Sequence, residues 1–405
     1  MTAIVQENTI STPTPPQRRY DLDWLRILVF GVLILYHIGM LYTQNWGFHI
    51  KSSYLSESLE NLMLLVNRWR LPILFLISGI AIRFALNKMS GLKFVGQRSL
   101  RLLIPLMFGV LVVVPPQLYF EMTQKGDLAL SYWEFYQAFF DLDHPLFENY
   151  QSGILPHMDV NHLWYIRELW KFSIVLLIIT PLLNARWVQS AVDSLAASGS
   201  KTALILVPVV ILSILGVSLF PSDSDGYREA LGFSFLIFGY LIGWHHQLWE
   251  LIKATRRVAL VIALLSYGLV LFYYHSFWLP GTTDFPWWGK ALEALGAYLN
   301  RWSWVLAVLG YGATYLNHPG RWRDYFNDAV YPYFILHQSI MIIAAYPLIQ
   351  LKLGGLTEFA AVLFITIAGC AILFEVIRRV NLLRLLFGLK MLPPRQHCHN
   401  QLTTS

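Results

Sequence analysis

The chain has 405 residues, 56% of them hydrophobic and only 13% charged, with a mean hydropathy of +0.49. Soluble domains carry roughly one quarter charged residues, so this mix excludes a soluble enzyme and predicts an all-α, polytopic membrane protein held in a lipid bilayer. The net charge of +6 is spread over short loops, which excludes a nucleic-acid partner; two cysteines, Cys370 in an apolar run and Cys398 near the end, exclude a disulfide framework or a cysteine metal site.

Residues 1–18, with the stretch Ser11-Thr12-Pro13-Thr14-Pro15-Pro16, lack apolar periodicity and read as a disordered cytoplasmic leader. Arg18 and Arg19 precede the first apolar run as in a signal peptide. That run ends in Tyr42, Gln44, Asn45 and Trp46 without a small-residue cleavage site, so it is expected to stay in the mature protein. Apolar runs near the roughly 20 residues that span a bilayer fall at 25–42, 69–86, 102–120, 162–183, 203–220, 230–249, 258–277, 291–316, 330–349 and 359–377. They predict about ten transmembrane helices within a membrane domain over 19–390, followed by a cytoplasmic tail at 391–405. Pro72, Pro105, Pro115-Pro116, Pro181 and Pro332 are expected to kink or end helices.

Lys and Arg are retained on the cytoplasmic side of a membrane. They gather in the leader (Arg18, Arg19), after the second run (Lys88, Lys93, Arg98, Arg101), after the sixth (Lys253, Arg256, Arg257) and after the tenth (Arg378, Arg379, Arg384, Lys390, Arg395). All four regions lie on one side of a ten-span alternation, which puts both termini in the cytoplasm. The loop after the eighth run votes weakly, since Asp324 and Asp328 offset Arg321 and Arg323. On the opposite side, the loop 121–161 combines Asp127, Glu134, Asp141, Asp143, Glu148 and Asp159 with Tyr132, Trp133, Phe135, Tyr136, Phe139 and Phe140, and a later loop offers Asp284, Phe285, Trp287 and Trp288. Rings beside carboxylates suit a sugar, while Trp and Tyr also gather at membrane interfaces as anchors; both readings stand on this feature.

Chemistry concentrates in the first run. On a helix, Arg26 and His37 fall within about 20° of one face and about 16 Å apart along the axis, with Asp23 near the same face about 21 Å from His37. A polar line of this kind is expensive in hydrocarbon and is expected to face a protein interior. His37, near the middle of the run, is a ring that can take up a proton in its uncharged form. Arg98 and Arg101, three residues apart ahead of Pro105, share a helix face and suit either a phosphate or simple orientation charge. Arg68, Arg70, Arg83, Asn300 and Arg301 are polar intrusions into apolar runs. Arg167, Glu168 and Lys171 stand at helical spacing and are expected to pair among themselves. His397-Cys398-His399 has no fourth ligand nearby, so no metal site is expected.

The pattern Asp23-Trp24-Leu25-Arg26, ten residues, then His37 is followed by Phe75-Leu76-Ile77-Ser78-Gly79. Then come Arg98-Ser99-Leu100-Arg101 with Pro105, His162-Leu163-Trp164-Tyr165 and Tyr333-Phe334-Ile335-Leu336-His337-Gln338. In order and position it resembles the acyltransferase 3 family of ten-span membrane acyltransferases over residues 19–345. It is closest to the branch with the succinyltransferase of periplasmic glucan synthesis, because Trp24 precedes Leu25-Arg26 where many O-acetylating members have Gly.

The resemblance implies that His37 is the essential histidine and Arg26 the arginine paired with it, while Arg98 and Arg101 serve acyl-CoA from the cytoplasm. Asp23, Ser78, Trp164, Glu168 and His337 match motif positions with no assigned chemical role, or sit where they would support the site. Acyl-CoA is then a co-substrate, and no bound cofactor or metal is expected. The acceptor is an extracytoplasmic glycan, any periplasmic partner is a separate chain, and the location is the bacterial inner membrane. In this reading His37 acts as general base or as acyl acceptor, oriented by Glu168 or Glu375, and Arg70 or Arg83 would meet the extra carboxylate of a succinyl group. A proton-coupled transporter or exporter using His37 as a relay is the alternative. It is weakened by the lack of an internal repeat or of matched broken helices.

Overall fold

The computed structural model describes residues 19–218, 225–243, 245–281 and 286–393. The leader 1–18 with Arg18, the loop residues Asp284 and Phe285, and Arg395 with His397-Cys398-His399 lie outside the described residues. Those described are all-helical, with no β-strand among them: α1 Tyr20–Met40, α2 Glu57–Asn67, α3 Arg70–Leu86, α4 Gly91–Phe108, α5 Pro115–Lys125, α6 Tyr132–Ala138, α7 Trp164–Leu183, α8 Arg186–Ala197, α9 Lys201–Ser218, α10 Asp225–Ile242, α11 His246–Tyr273, α12 Trp287–Tyr315, α13 Arg323–Gln350, α14 Gly355–Ile377 and α15 Asn381–Leu386. The apolar runs of the sequence lie mostly on helices among the described residues. Among the described residues six segments are long and apolar enough to cross a membrane: α1, α2 with α3, α4 with α5, α11 with its continuation to Trp278, α13 and α14. The chain is a polytopic integral membrane protein.

Several expected boundaries move. The sixth run was drawn to residue 249, but α10 ends at Ile242 and α11 starts at His246, so Lys253, Arg256 and Arg257 stand on the first turns of a helix, not in a loop. Pro105, Pro181 and Pro332 lie inside α4, α7 and α13. Pro115 and Pro116 open α5 after a π-helical turn at Gly109–Val113; a proline has no N–H to donate backward, and the widened turn accommodates the change of helix. Amphipathic α2 and α8 were not anticipated. Ser56 caps α2 by accepting the Leu59 N–H.

The aromatic loop over 121–161 folds on itself. Phe135, Phe139 and Phe147 are buried, and His157 stacks on Phe147 at 3.9 Å while its Nε2–H donates to the Phe139 carbonyl. Two of the six rings expected at a sugar or an interface, Phe135 and Phe139, therefore form the loop's own core, and Trp133, Phe140 and Tyr132 remain exposed.

α1 is central, packing against α3, α12, α13 and α14. α3 and α10 approach backbone to backbone: a Cβ on Gly79 would lie 1.9 Å from the Leu236 carbonyl oxygen, and one on Gly239 would lie 1.9 Å from that of Leu76. Close crossing on small residues is how membrane helices associate without a hydrophobic drive between them.

Candidate active site

His37 occupies the last turn of α1, closer to the helix end than its place in the apolar run suggested. His337 projects from the middle of α13, fully buried. The two rings are parallel within 8°, with centroids 5.0 Å apart, and His37 Nδ1 lies 2.7 Å from His337 Nε2. His337 Nδ1 faces the carbonyls of Phe334 at 2.9 Å and Tyr333 at 3.1 Å. Carbonyls only accept, so His337 Nδ1 carries a hydrogen. In the neutral ring Nε2 is then a bare acceptor, and the short contact makes His37 Nδ1–H the donor. His37 Nε2 keeps a free lone pair.

A second layer fixes α13. His162, in the 3-10 turn Asn161–Leu163, stands edge-on to His337 with centroids 5.2 Å apart, and its Nε2–H donates to the Ile335 carbonyl at 3.0 Å. Its Nδ1 then accepts from the Gln117 amide at 3.2 Å. The same Gln117 nitrogen donates to Ser339 Oγ at 2.7 Å, and Gln117 Oε1 accepts from Gln338 at 3.0 Å. Ser339 donates in turn to the Val113 carbonyl at 2.5 Å. Satisfied buried networks of this kind hold one geometry. Among the described residues no group of His, Cys, Asp or Glu is arranged to hold a metal ion, the three histidines included.

Among the described residues no carboxylate is bonded to His37. Glu168 is buried between Arg167 Nε at 2.8 Å and Lys171 Nζ at 3.0 Å, and Lys171 reaches on to Glu229 at 2.9 Å. Glu375 takes the Tyr325 hydroxyl at 2.8 Å and pairs with Arg378 and Arg379 at the far end of α14. The place expected for a carboxylate is held by His337.

Arg26 does not touch His37 either. Its Nη1 donates to Asn327 Oδ1 at 3.1 Å, and its charge, like that of Arg101, acts on Arg98. α1 and α4 thus bring three arginines to one end of the molecule, with no carboxylate oxygen within 4.0 Å of them among the described residues. Asp23 lies at that end, 3.9 Å from Arg323 Nε. Tyr165 stands between the two groups: Arg26 and Arg98 act on it from one side, and its ring lies 5.8 Å from that of Phe334, which neighbours His337. Ser78 Oγ meets the Tyr165 hydroxyl at 3.0 Å, and that hydroxyl donates to the Leu74 carbonyl at 3.2 Å. Trp164 faces elsewhere, 6.4 Å from Phe75 and beneath the Arg228 guanidinium at 4.8 Å.

Beyond His37, Tyr36 lies edge-on to it at 6.1 Å, with the Arg70 guanidinium 3.5 Å over the Tyr36 ring and Trp46 6.3 Å away. His49 Nδ1 pairs with Glu121 at 2.5 Å nearby. Gln117 went unremarked in the sequence, although a glutamine inside an apolar run is itself a signal; His162 and Gln338 stood in motifs, and Tyr36 beside His37, without a role.

The family model described as an acyltransferase domain matches residues 19–375. Glucans biosynthesis protein C of Escherichia coli O139:H28 (strain E24377A / ETEC) is 22% identical over 414 residues, covering 95% of this chain and 98% of that protein. The protein of the same name from Escherichia coli (strain K12) is 22% identical over 411 residues, with the same two coverages. No solved structure matches. The matched region takes in the histidine pair and the three arginines, and the chain belongs to the acyltransferase 3 family of membrane acyltransferases.

Proposed function

We propose that the chain moves an acetyl or succinyl group from cytoplasmic acyl-CoA to a hydroxyl of an extracytoplasmic glycan, as a ten-span protein of the bacterial inner membrane with both termini in the cytoplasm. The observation that carries this reading is the 2.7 Å contact from His37 Nδ1 to His337 Nε2, which leaves His37 Nε2 as a free base. The acyl-CoA phosphates would rest on Arg26, Arg98 and Arg101, because guanidinium groups match phosphate oxygens in charge and shape. The thioester then passes Tyr165 toward the histidines. The glycan is suggested by relatives named for glucan biosynthesis, and its hydroxyl arrives from the side of Tyr36 and Trp46.

Two routes use the same nitrogen. As general base, His37 Nε2 takes the hydroxyl proton while the hydroxyl oxygen attacks the thioester carbonyl; the C–S bond breaks and the proton goes on to the leaving thiolate. As acyl acceptor, Nε2 attacks the carbonyl itself and the C–S bond breaks to release the thiolate; the hydroxyl oxygen later attacks the acyl carbon, the C–N bond breaks, and the hydroxyl proton passes by way of the freed Nε2 to the thiolate. In both, the cationic His37 ring is stabilised through Nδ1–H by His337. Thermal stabilisation by a panel of acyl-CoAs tests the donor half: wild type is expected to be stabilised, and the Arg98→Gln/Arg101→Gln protein to need at least tenfold more ligand. No stabilisation of the wild type by any acyl-CoA contradicts the reading.

A further inference from the structure

Two buried arginines, Arg70 over the Tyr36 ring beside His37 and Arg68 two residues before it, lack the partners that buried cations need. Arg70 is 6% exposed and Arg68 8%. Among the described residues no Asp or Glu oxygen lies within 4.0 Å of either guanidinium, and the Nε of each is buried without a hydrogen-bond partner. Arg70 spends one donor on Asn67 Oδ1 at 3.1 Å and lays its face on Tyr36 at 3.5 Å. Arg68 sits 5.1 Å from the Trp278 ring, and Arg301, a third cation, donates to the Arg68 carbonyl at 3.2 Å. The acidic group that acts on Arg68 from a distance, Glu293, is already bonded to Trp278 Nε1 at 2.8 Å.

The placement adds to the cost. Arg70 is the first residue of α3, where the helix dipole already presents positive charge, so a cation there has the wrong sign for its helix. An unpaired buried ion is penalised by several kcal/mol, and intramembrane charges without a partner mark ligand sites. Arg83, the other arginine considered for an anionic group, differs: it donates to the Tyr240 carbonyl at 2.9 Å from the last turn of α3, at the opposite end of that helix.

We propose that Arg70, backed by Arg68, is a binding site for an oxyanion carried by a substrate, set beside His37 through Tyr36. It deepens the acyl-transfer reading and rests on it for the identity of the substrates. Two sources bring such a group to this place: a carboxylate at the far end of the acyl chain, and an anionic substituent on the acceptor sugar. In either case the planar guanidinium, held flat on Tyr36, pairs with the two oxygens and discriminates against a neutral group of the same size.

Binding separates these sources without requiring turnover. Succinyl-CoA and butyryl-CoA differ at the chain end by a carboxylate in place of a methyl; glucose 6-phosphate and glucose differ by a phosphate. Affinities of the purified protein for all four, in wild type and Arg70→Gln, are the readout, with Arg70→Lys as a charge-retaining control and thermal unfolding as a check on the fold. The expected result is a preference of tenfold or more for the anionic member of one pair, lost in Arg70→Gln and partly kept in Arg70→Lys. A preference within the CoA pair assigns the site to the donor, and one within the sugar pair to the acceptor. Equal affinity within both pairs in wild type, or a preference that survives in Arg70→Gln, overturns the proposal. A parallel transfer assay of the wild type reads the acyltransferase function separately, so the two failures are distinguishable.

Discussion

At His37 the decisive matter is which ring nitrogen holds the proton, and His337 decides it. With both carbonyl partners on His337 Nδ1, its Nε2 must accept, and His37 is held in the tautomer that presents Nε2. Removing that acceptor frees the His37 ring to rotate and to exchange tautomers. His337→Ala is expected to lower kcat by about 10²- to 10⁴-fold, the usual span for a positioned acid–base group, with KM for acyl-CoA nearly unchanged. His337→Gln, whose amide oxygen accepts the same N–H, should recover part of the loss; wild-type kcat in His337→Ala would contradict the assignment. His37 was legible in the sequence because an ionisable ring in an apolar run is conspicuous. Its partner lies 300 residues away, a distance at which only the packing of α13 on α1 reveals the pair. Glu168 looked a fit orienting group until Arg167 and Lys171 were seen to enclose it.

Helices place those residues, and the tight crossing of α3 on α10 fixes the wall that holds Arg70 and Ser78. Gly79→Ala or Gly239→Ala must push a carbonyl away from a Cβ set 1.9 Å from it, and overpacking of this kind costs about 1–3 kcal/mol or more. Gly31→Ala on α1 meets open space and should stabilise by about 0.5–1 kcal/mol through helix propensity. Thermal unfolding of the three variants checks the contrast, and equal effects would remove the case for the crossing. In the aromatic loop, Ser131 and Glu134 form a reciprocal cap on α6, and the Ser131 hydroxyl and backbone N–H hold the Glu134 carboxyl below its ordinary range. A carboxylate lowered in the folded state contributes fully above its ordinary pKa, and the contribution fades as pH falls through the folded value. Amide exchange over 132–138, corrected for intrinsic rates, should therefore quicken at acid pH, and Glu134→Gln should flatten the dependence. Among the described residues each of the ten apolar runs lies mostly on helix, since hydropathy over some twenty residues is a strong signal. The end of α10 at Ile242 and the start of α11 at His246 were missed because so short a separation scarcely dents that signal, and amphipathic α2 and α8 were missed because half of each is polar.

The whole molecule sets two chemistries at opposite ends of α1. Three arginines gather around its start, the histidine pair stands at its end about 16 Å on, and Tyr165 and Phe334 lie between. Charge bias in the sequence anticipated the arginine end, and the family motifs anticipated both. What neither supplied was that Arg26 belongs with Arg98 instead of with His37, because helical spacing gives a shared face without saying which neighbours line it. Such an arrangement suits a donor and an acceptor that never share a compartment. The most direct measurement reconstitutes the protein in liposomes, supplies acyl-CoA on one face and glycan on the other, and compares wild type with His37→Ala that still inserts and is still stabilised by acyl-CoA. Acylated glycan is expected from the wild type, with at least a hundredfold less from His37→Ala; transfer by His37→Ala at the wild-type rate would contradict a reaction centred on the His37–His337 pair.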